Sequence, residues 1–295
     1  MRMKKFSFYN PSSLPEVWEL LERYGERAKL IAGGTDLVVQ MKSKLVSPEV
    51  VINLLPLREL QGMEIRDGHL RIGALVTHAA LANSPLLREN WAILAEGAHK
   101  IGSPQIRNIG TIGGNLVNAS PAADTAPALL ALEGKVVLAS KRGERQIPVN
   151  SFFLGPGMTI LEKDEVLKEI LIPVPPAGAQ GTFLKLGRRK SLDLAVVSAA
   201  VMLHYDPLTK YCNWARIALG AVAPTPIRAQ ETEKFLVGKI LQEEVMHEAG
   251  ERAQQECQPI SDLRASANYR REMVKVLVQR AIKKSLKLPI PPTGI

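Results

Sequence analysis

Hydrophobic positions along this chain change period several times, and each change marks an element. Val17, Leu20, Leu21 and Tyr24 recur at helical spacing after Ser13-Leu14-Pro15-Glu16, whose Ser-x-x-Glu spacing is that of a capping box, so a first helix is predicted there. A short strand over 29–31, a diglycine loop, a helical segment over 36–42 and a strand over 50–52 then make a β-loop-α-β unit. Apolar stretches at 63–65 and 70–72 flank Arg66-Asp67-Gly68-His69, a hairpin by its Asp-Gly turn, and a second pair flanks Lys141-Arg142-Gly143-Glu144. The proline-rich stretch Ile172-Pro173-Val174-Pro175-Pro176-Ala177-Gly178 ends the preceding strand and stiffens a connection, which places a domain boundary there. Beyond it, 181–186, 194–203 and 214–222 read as strands and the regions around 233–249 and 269–284 as helices, an α+β order. Residues 194–203 fit a buried strand and a buried helix equally well.

Two diglycine loops share one grammar. Ala32-Gly33-Gly34-Thr35-Asp36 follows apolar Leu30-Ile31, and Thr111-Ile112-Gly113-Gly114-Asn115 follows the approach from Ile106 to Gly110. Glycine leaves no Cβ in a ligand's way and takes positive φ readily, so successive N–H groups in such turns can converge on an anion. The pair reads as two halves of one diphosphate site, with Thr35, Thr111 and Asn115 adding side-chain donors. Amides at the head of the following helix would add a partial positive charge worth about 0.3–1 kcal/mol per interaction. Asp36 would repel a phosphate, so it either caps that helix or receives a ligand hydroxyl. Neither loop is a P-loop or a three-glycine dinucleotide fingerprint.

These two loops, followed by Asn118-Ala119-Ser120-Pro121-Ala122-Ala123-Asp124, by Phe183-Leu184-Lys185-Leu186-Gly187-Arg188-Arg189 with Leu192-Asp193-Leu194-Ala195, and by Asp262-Leu263-Arg264-Ala265-Ser266-Ala267-Asn268-Tyr269-Arg270, resemble the FAD-binding (medium) subunit of molybdenum hydroxylases of the carbon monoxide dehydrogenase and xanthine dehydrogenase type. The resemblance covers almost the whole chain. It implies an α+β architecture: a two-part FAD-binding domain of the vanillyl-alcohol-oxidase/PCMH type at 1–176 (parts 1–57 and 58–176), a smaller α+β domain at 177–288 with a three-stranded sheet plus helices, and a frayed tail at 289–295. It also implies non-covalent FAD held by Lys29, Leu30, Ile31, Ala32, Gly33, Gly34, Thr35 and Asp36, and by Gly110, Thr111, Gly113, Gly114 and Asn115. Ile101 and Leu167, core residues by pattern, would wall the isoalloxazine. Lys185, a surface cation by pattern, would stand near the flavin and favour its reduced, anionic form. Asp124 either caps the helix through Leu129 or touches the ligand. The turn Arg188-Arg189-Lys190 would approach the flavin edge, with Asp193 neutralising part of its charge.

Composition adjusts this picture. At 295 residues and 46% hydrophobic the chain can bury two cores. No apolar run approaches the ~20 residues of a membrane span, and the basic start Met1 to Phe6 leads into Tyr9-Asn10-Pro11 rather than a signal core. The expected place is the cytoplasm, free or peripheral to the inner face of the membrane. Cys212 and Cys257 are the only cysteines, too few for an iron–sulfur cluster with its usual four thiolates, and they read as free thiols. The resemblance therefore implies [2Fe-2S] clusters on a small partner and the molybdenum cofactor on a large one, assembled as a dimer of heterotrimers. The cysteine count argues against the benzoyl-CoA reductase branch, whose flavin subunit carries a cysteine-rich insertion.

The net charge of +9 invites a nucleic-acid reading, but with 5% aromatics and no aromatic-interleaved basic motif, stacking on bases has little support. The densest basic run, Arg270 through Lys287, overlies Val274, Leu277, Val278, Ala281 and Ile282, which predicts an amphipathic helix with a solvated polar face. The five histidines lack metal partners at helical spacing, and no Gly-x-Ser-x-Gly turn marks a nucleophile. No residue is assigned as catalytic and none as a metal ligand. The function read here is an electron-transfer subunit, with NAD, a quinone or oxygen open as acceptor. Its rivals are a self-contained flavin oxidoreductase of the same fold and an adaptor that has lost FAD.

Overall fold

The computed structural model describes residues 3–189 and 191–289. The predicted tail therefore lies outside the described residues except for Pro289, as does Lys190 of the basic turn. The amino-terminal unit is a parallel sheet of three strands, β1 (Ser7–Tyr9), β2 (Ala28–Ile31) and β3 (Val50–Asn53), ordered β1-β3-β2. Helix α1 (Leu14–Tyr24) buries Leu14, Val17 and Leu21 against it. The predicted capping box is not made: Ser13 occupies the N-cap without a side-chain bond. Glu16 instead accepts from the amide and hydroxyl of Ser12, at 2.8 and 2.7 Å, so the loop is held one residue earlier than the Ser-x-x-Glu spacing implied. Helix α2 (Leu37–Lys42) joins β2 to β3 and completes the β-loop-α-β unit.

The second unit is a five-stranded antiparallel sheet, β4 (Met63–Arg66), β5 (His69–Gly73), β6 (Lys135–Ser140), β7 (Gly143–Pro148) and β10 (Val166–Pro173), ordered β4-β5-β10-β6-β7. A small ribbon of β8 (Phe153–Gly155) and β9 (Met158–Thr159) precedes β10. Asp67 and Gly68 take φ of 51° and 72°, the two positive values that a two-residue hairpin turn requires. Helices α3 (His78–Asn83), α4 (Ala92–His99), α5 (Pro104–Ile109), α6 (Ile112–Val117) and α7 (Thr125–Ala131) cover this sheet, with Leu81, Leu94, Leu116 and Leu129 packed on Leu70, Ile72, Leu138 and Ile170.

The carboxy-terminal unit is an antiparallel sheet, β11 (Gln180–Leu186), β12 (Val197–Tyr205) and β13 (Cys212–Gly220), completed by a two-residue edge strand, β14 (Ile227–Arg228), beyond the three expected. Residues 194–203, ambiguous in sequence, supply β12, and the reason is visible in its burial. Ala200 and Met202 face the helices of the second unit while Val197, Ala199, Val201 and Leu203 face a separate core, so the strand has no polar side to alternate with. That second core is roofed by α8 (Gln230–Leu236), α9 (Glu243–Gln255) and α10 (Ala267–Ser285). The single helix expected around 233–249 is thus two, interrupted at 237–242.

The polar face of α10 is less solvated than its sequence suggested. Arg270 is 1% exposed and donates to the carbonyls of Val196 and Ala221 and to Asp262, tying the 262–270 segment to the end of the core sheet where β12 begins and β13 finishes. Lys275, Lys283 and Lys284 pair with Glu251, Glu243 and Glu96 at 2.8, 2.5 and 3.2 Å. Arg264 and Arg270 beside Asp262 hold its carboxyl well below the usual carboxylate range. Much of the basic run is therefore an internal brace.

Candidate functional site

The two glycine loops open onto one cleft of about 610 Å³, inside the ~300–1,000 Å³ common for small-molecule sites. Lys29, Leu30, Ile31, Ala32, Gly33, Gly34, Thr35 and Asp36 line it from β2 and its loop; Ile101, Thr111, Gly114, Asn115 and Asp124 line it from the second unit. Leu192, Asp193 and Leu194 close one end from the carboxy-terminal domain. Gly110, Gly113 and Lys185 do not line it, although each adjoins a residue that does: Thr111, Gly114 and, through its ion pair, Asp124. Leu167 does not line the cleft: it sits on β10, 4% exposed, in the core of the second unit. The apolar end expected of Ile101 and Leu167 is made by Ile101 with Leu192 and Leu194.

The loops are not symmetric in what they offer. In the first, the backbone amides of Gly33, Gly34, Thr35 and Asp36 donate to none of the described residues, leaving a run of donors at the carboxyl end of β2. In the second, most amides are already used. Gly110 donates to Ile106, Ile112 to Val76, Gly113 to Ala74 and Asn115 to Thr111, all within 2.7–3.0 Å, and the Gly114 amide reaches the Thr111 hydroxyl at 3.1 Å. Among the described residues a run of amides without acceptors is therefore found in the first loop, whereas the second leaves only that of Thr111. Thr111 caps α6 by accepting from the Gly114 amide, a bond that leaves its hydroxyl proton to donate, and Asn115 accepts from Thr125 at 2.6 Å, which leaves its NH₂ without a partner among the described residues.

The glycines divide by what surrounds them. A Cβ on Gly33 would run into the backbone carbonyl of Ile109, so this glycine lets the first loop seat against the approach to the second. A Cβ on Gly113 would lie 2.7 Å from Ala74, again a packing contact. Gly34 has φ of 69°, which a side chain tolerates poorly. On Gly114 a Cβ would meet only the Thr111 hydroxyl within 4 Å, at 3.0 Å; elsewhere it would project into free space at the cleft wall.

Asp36 neither caps α2 nor stands free: its carboxylate accepts from the Asn118 side-chain amide at 3.2 Å and the Thr35 hydroxyl at 3.4 Å, and burial pushes its pKa upward. Asp124 starts α7 without a capping bond. It pairs instead with Lys185 at 2.6 Å, both side chains being less than a tenth exposed. The Lys185 ammonium also donates to the carbonyls of Lys100 and Asp193, at 3.1 and 2.8 Å, so all three of its protons are placed. It is not a surface cation. The second carboxylate oxygen of Asp124 is buried and unpartnered, and burial pushes this carboxyl up to about 6 despite the lowering influence of Lys185.

Asp193 does not neutralise the Arg188 and Arg189 side chains; its carboxylate accepts from both their backbone amides and fixes the turn. Their guanidinium groups bond the carbonyls of Leu263 and Leu192 at 3.2 and 2.7 Å. His78 lines the cleft yet carried no sequence signal, and Asn118, Leu192 and Leu194, which stand within the blocks that carried the resemblance, were not singled out as site residues, since nothing local marks a residue that only the folded chain brings to the wall. Among the described residues no cluster of His, Cys, Asp or Glu could hold a metal. Both cysteines are buried and free, and burial raises their thiols, Cys212 to about 11, so neither is a ready nucleophile. An elongated ligand with an anionic middle and a flat apolar end fits what remains: unpaired amides, an open glycine position, and an aliphatic pocket ending at Asp124.

Comparison with known proteins identifies the family. Residues 4–175 match the family model described as the FAD binding domain in molybdopterin dehydrogenase, and residues 182–285 match the CO dehydrogenase flavoprotein C-terminal domain. The chain is 36% identical over 277 residues to the nicotinate dehydrogenase FAD-subunit of Eubacterium barkeri, covering 92% of this chain and 93% of that one. It is 36% identical over 278 residues to the carbon monoxide dehydrogenase medium chain of Hydrogenophaga pseudoflava, covering 94% and 96%. A solved structure of carbon monoxide dehydrogenase from that organism, lacking the Mo-pyranopterin moiety of the molybdenum cofactor, superposes with a TM-score of 0.93 at 36% identity, over 97% of this chain and 99% of the other.

Proposed function

This chain belongs to the FAD-binding medium subunits of the molybdenum hydroxylases, the carbon monoxide dehydrogenase and xanthine dehydrogenase family, and from that membership we propose that it is the electron-transfer subunit of a larger assembly. Bound FAD would supply redox chemistry, accepting electrons from [2Fe-2S] clusters on a small partner and passing them to an external acceptor, while a large partner carries molybdenum and oxidises the substrate. The observation that carries the reading is the run of amides from Gly33 to Asp36 that donate to none of the described residues, lining the same cleft as the side-chain-free position of Gly114. The amides would take the diphosphate. Ile101, Leu192 and Leu194 would exclude water from the ring, and Lys185 would set a fixed positive charge behind Asp124 at the same end. The partners would complete a dimer of heterotrimers. No described helix is long and apolar enough to cross a membrane.

The purified chain is expected to bind about one FAD, released on acid precipitation, because neither cysteine is a ready nucleophile and His78, the one histidine among the described residues that line the cleft, stands by the glycine loops rather than at the apolar end. Yellow colour that stays with the denatured pellet would contradict the non-covalent reading. In the reconstituted assembly, substrate should bleach the FAD absorbance rapidly, and with this chain alone the same substrate should leave it oxidised. Equal bleaching of the isolated chain would make it a self-contained oxidoreductase.

A further inference from the structure

We propose that His78 is a third holding point for the cofactor, donating a hydrogen bond from ring Nε2 to a phosphoryl oxygen of the diphosphate where the two glycine loops meet. The inference rests on the FAD reading above and extends it to a segment outside both loops.

His78 is placed by backbone geometry. Thr77 and Thr111 form an isolated antiparallel bridge, with the His78 amide donating to the Gly110 carbonyl at 3.0 Å and the Ile112 amide to the Val76 carbonyl at 2.9 Å. The Thr77 hydroxyl caps α3 by accepting from Ala80 at 3.2 Å, which fixes the start of the helix against the second loop. The imidazole then lies edge-on to that loop: a Cβ on Gly110 would be 3.3 Å from its Cδ2 and 3.6 Å from the Thr35 hydroxyl. One point of the wall thus brings together Gly110, Thr35 of the first loop and the ring edge that carries Nε2, the atom bonded to Cδ2.

The ring's polarity is unresolved within the chain. His78 is 3% exposed, yet it forms part of the cleft wall and its side chain makes no hydrogen bond to the described residues. Among those residues its Nδ1 is sealed off without a partner; Nε2 has none there either but is not sealed. A buried N–H without an acceptor is rarer and costlier than a buried lone pair, so the proton belongs on Nε2, facing the cleft. Burial, with the neighbouring Arg107 charge, pushes the His78 pKa down to about 4, and the ring is neutral at physiological pH. A neutral donor suits this place, because it adds an N–H toward an anion without burying another charge.

The test compares His78→Leu with His78→Gln in the full-length chain, since a Gln amide NH₂ reaches the region of Nε2 and Leu offers only bulk. Flavin fluorescence quenching reports FAD affinity, competition with ADP isolates the diphosphate from the ring, and thermal melting of the FAD-free protein reports folding. His78→Leu should weaken FAD and ADP alike by about tenfold, the loss of one hydrogen bond to a charged group, while His78→Gln stays within about threefold and neither alters melting. In wild type labelled with isotopic nitrogen in histidine, adding ADP should shift the His78 Nε2–H resonance, a measurement that needs no variant to fold. Equal affinity in both variants overturns the proposal, as does a loss for FAD without a loss for ADP, which would move the contact to the flavin half. Parallel losses of affinity and melting in both variants, with no shift in wild type, would make His78 a packing residue. Failure of wild type to bind FAD would overturn the underlying reading itself.

Discussion

Gly114→Ala should yield a protein at least as stable as wild type that binds FAD at least about tenfold more weakly, a loss of ~1.4 kcal/mol or more in binding. Gly114 lies within α6, where alanine is favoured over glycine by about 0.5–1 kcal/mol, and the added methyl meets only the Thr111 hydroxyl. In the free protein that contact asks for a small shift. In the complex the methyl would occupy a stretch of the second loop that is open to the cofactor. FAD titration by fluorescence quenching and calorimetry of the FAD-free protein separate the two effects, and unchanged affinity in a folded variant would remove the second loop from the site.

The same change at Gly33 should act the other way round. There the methyl would overlap the Ile109 carbonyl, a backbone group with no rotamer to escape into. Gly33→Ala is therefore expected to destabilise the protein by about 1–3 kcal/mol or more before any cofactor is added. Valine at either position, read from sequence alone, looks like one and the same block to the diphosphate. The structure separates them into a seam glycine and a wall glycine.

That separation marks where sequence stops being informative. The hairpin at Asp67-Gly68, the burial stripe of α10 and the β-loop-α-β unit were legible because each depends on neighbours within a few residues. The strand at 197–205 was read with a buried helix as an open alternative, because packing on two different cores erased its alternation. The Gly33 and Ile109 contact, the Asp124 and Lys185 pair and the placement of His78 each join segments distant in the chain, so no local pattern could announce them. The family resemblance supplied Asp124 and Lys185 as names. It did not supply their relation, which is a buried ion pair rather than a cap and a surface cation.

Lys185→Met should test that relation with a large stability change. Removing one member of a buried pair leaves the other charge uncompensated, at a typical cost of about 3–5 kcal/mol, whereas replacing both members by apolar side chains is often close to neutral. Lys185→Met with Asp124→Leu should therefore recover most of the loss. The pH dependence has a definite sign. The folded-state pKa of Asp124 is raised, so its contribution to stability is fully present below the ordinary carboxyl value and is lost as pH rises through about 6. Without Lys185, the largest lowering influence on that carboxyl disappears and its pKa climbs further. The penalty of Lys185→Met should then be small near about pH 5, where Asp124 is protonated in both proteins, and grow toward about pH 8, where only wild type carries a compensated carboxylate. Denaturant unfolding of the four members of the cycle at both pH values measures this. A penalty below about 1 kcal/mol, or one that ignores pH, would class the pair with solvent-exposed salt bridges. In the FAD-loaded protein the same substitution should move the flavin midpoint potential to more negative values, because the fixed positive charge that favours the reduced, anionic form is gone.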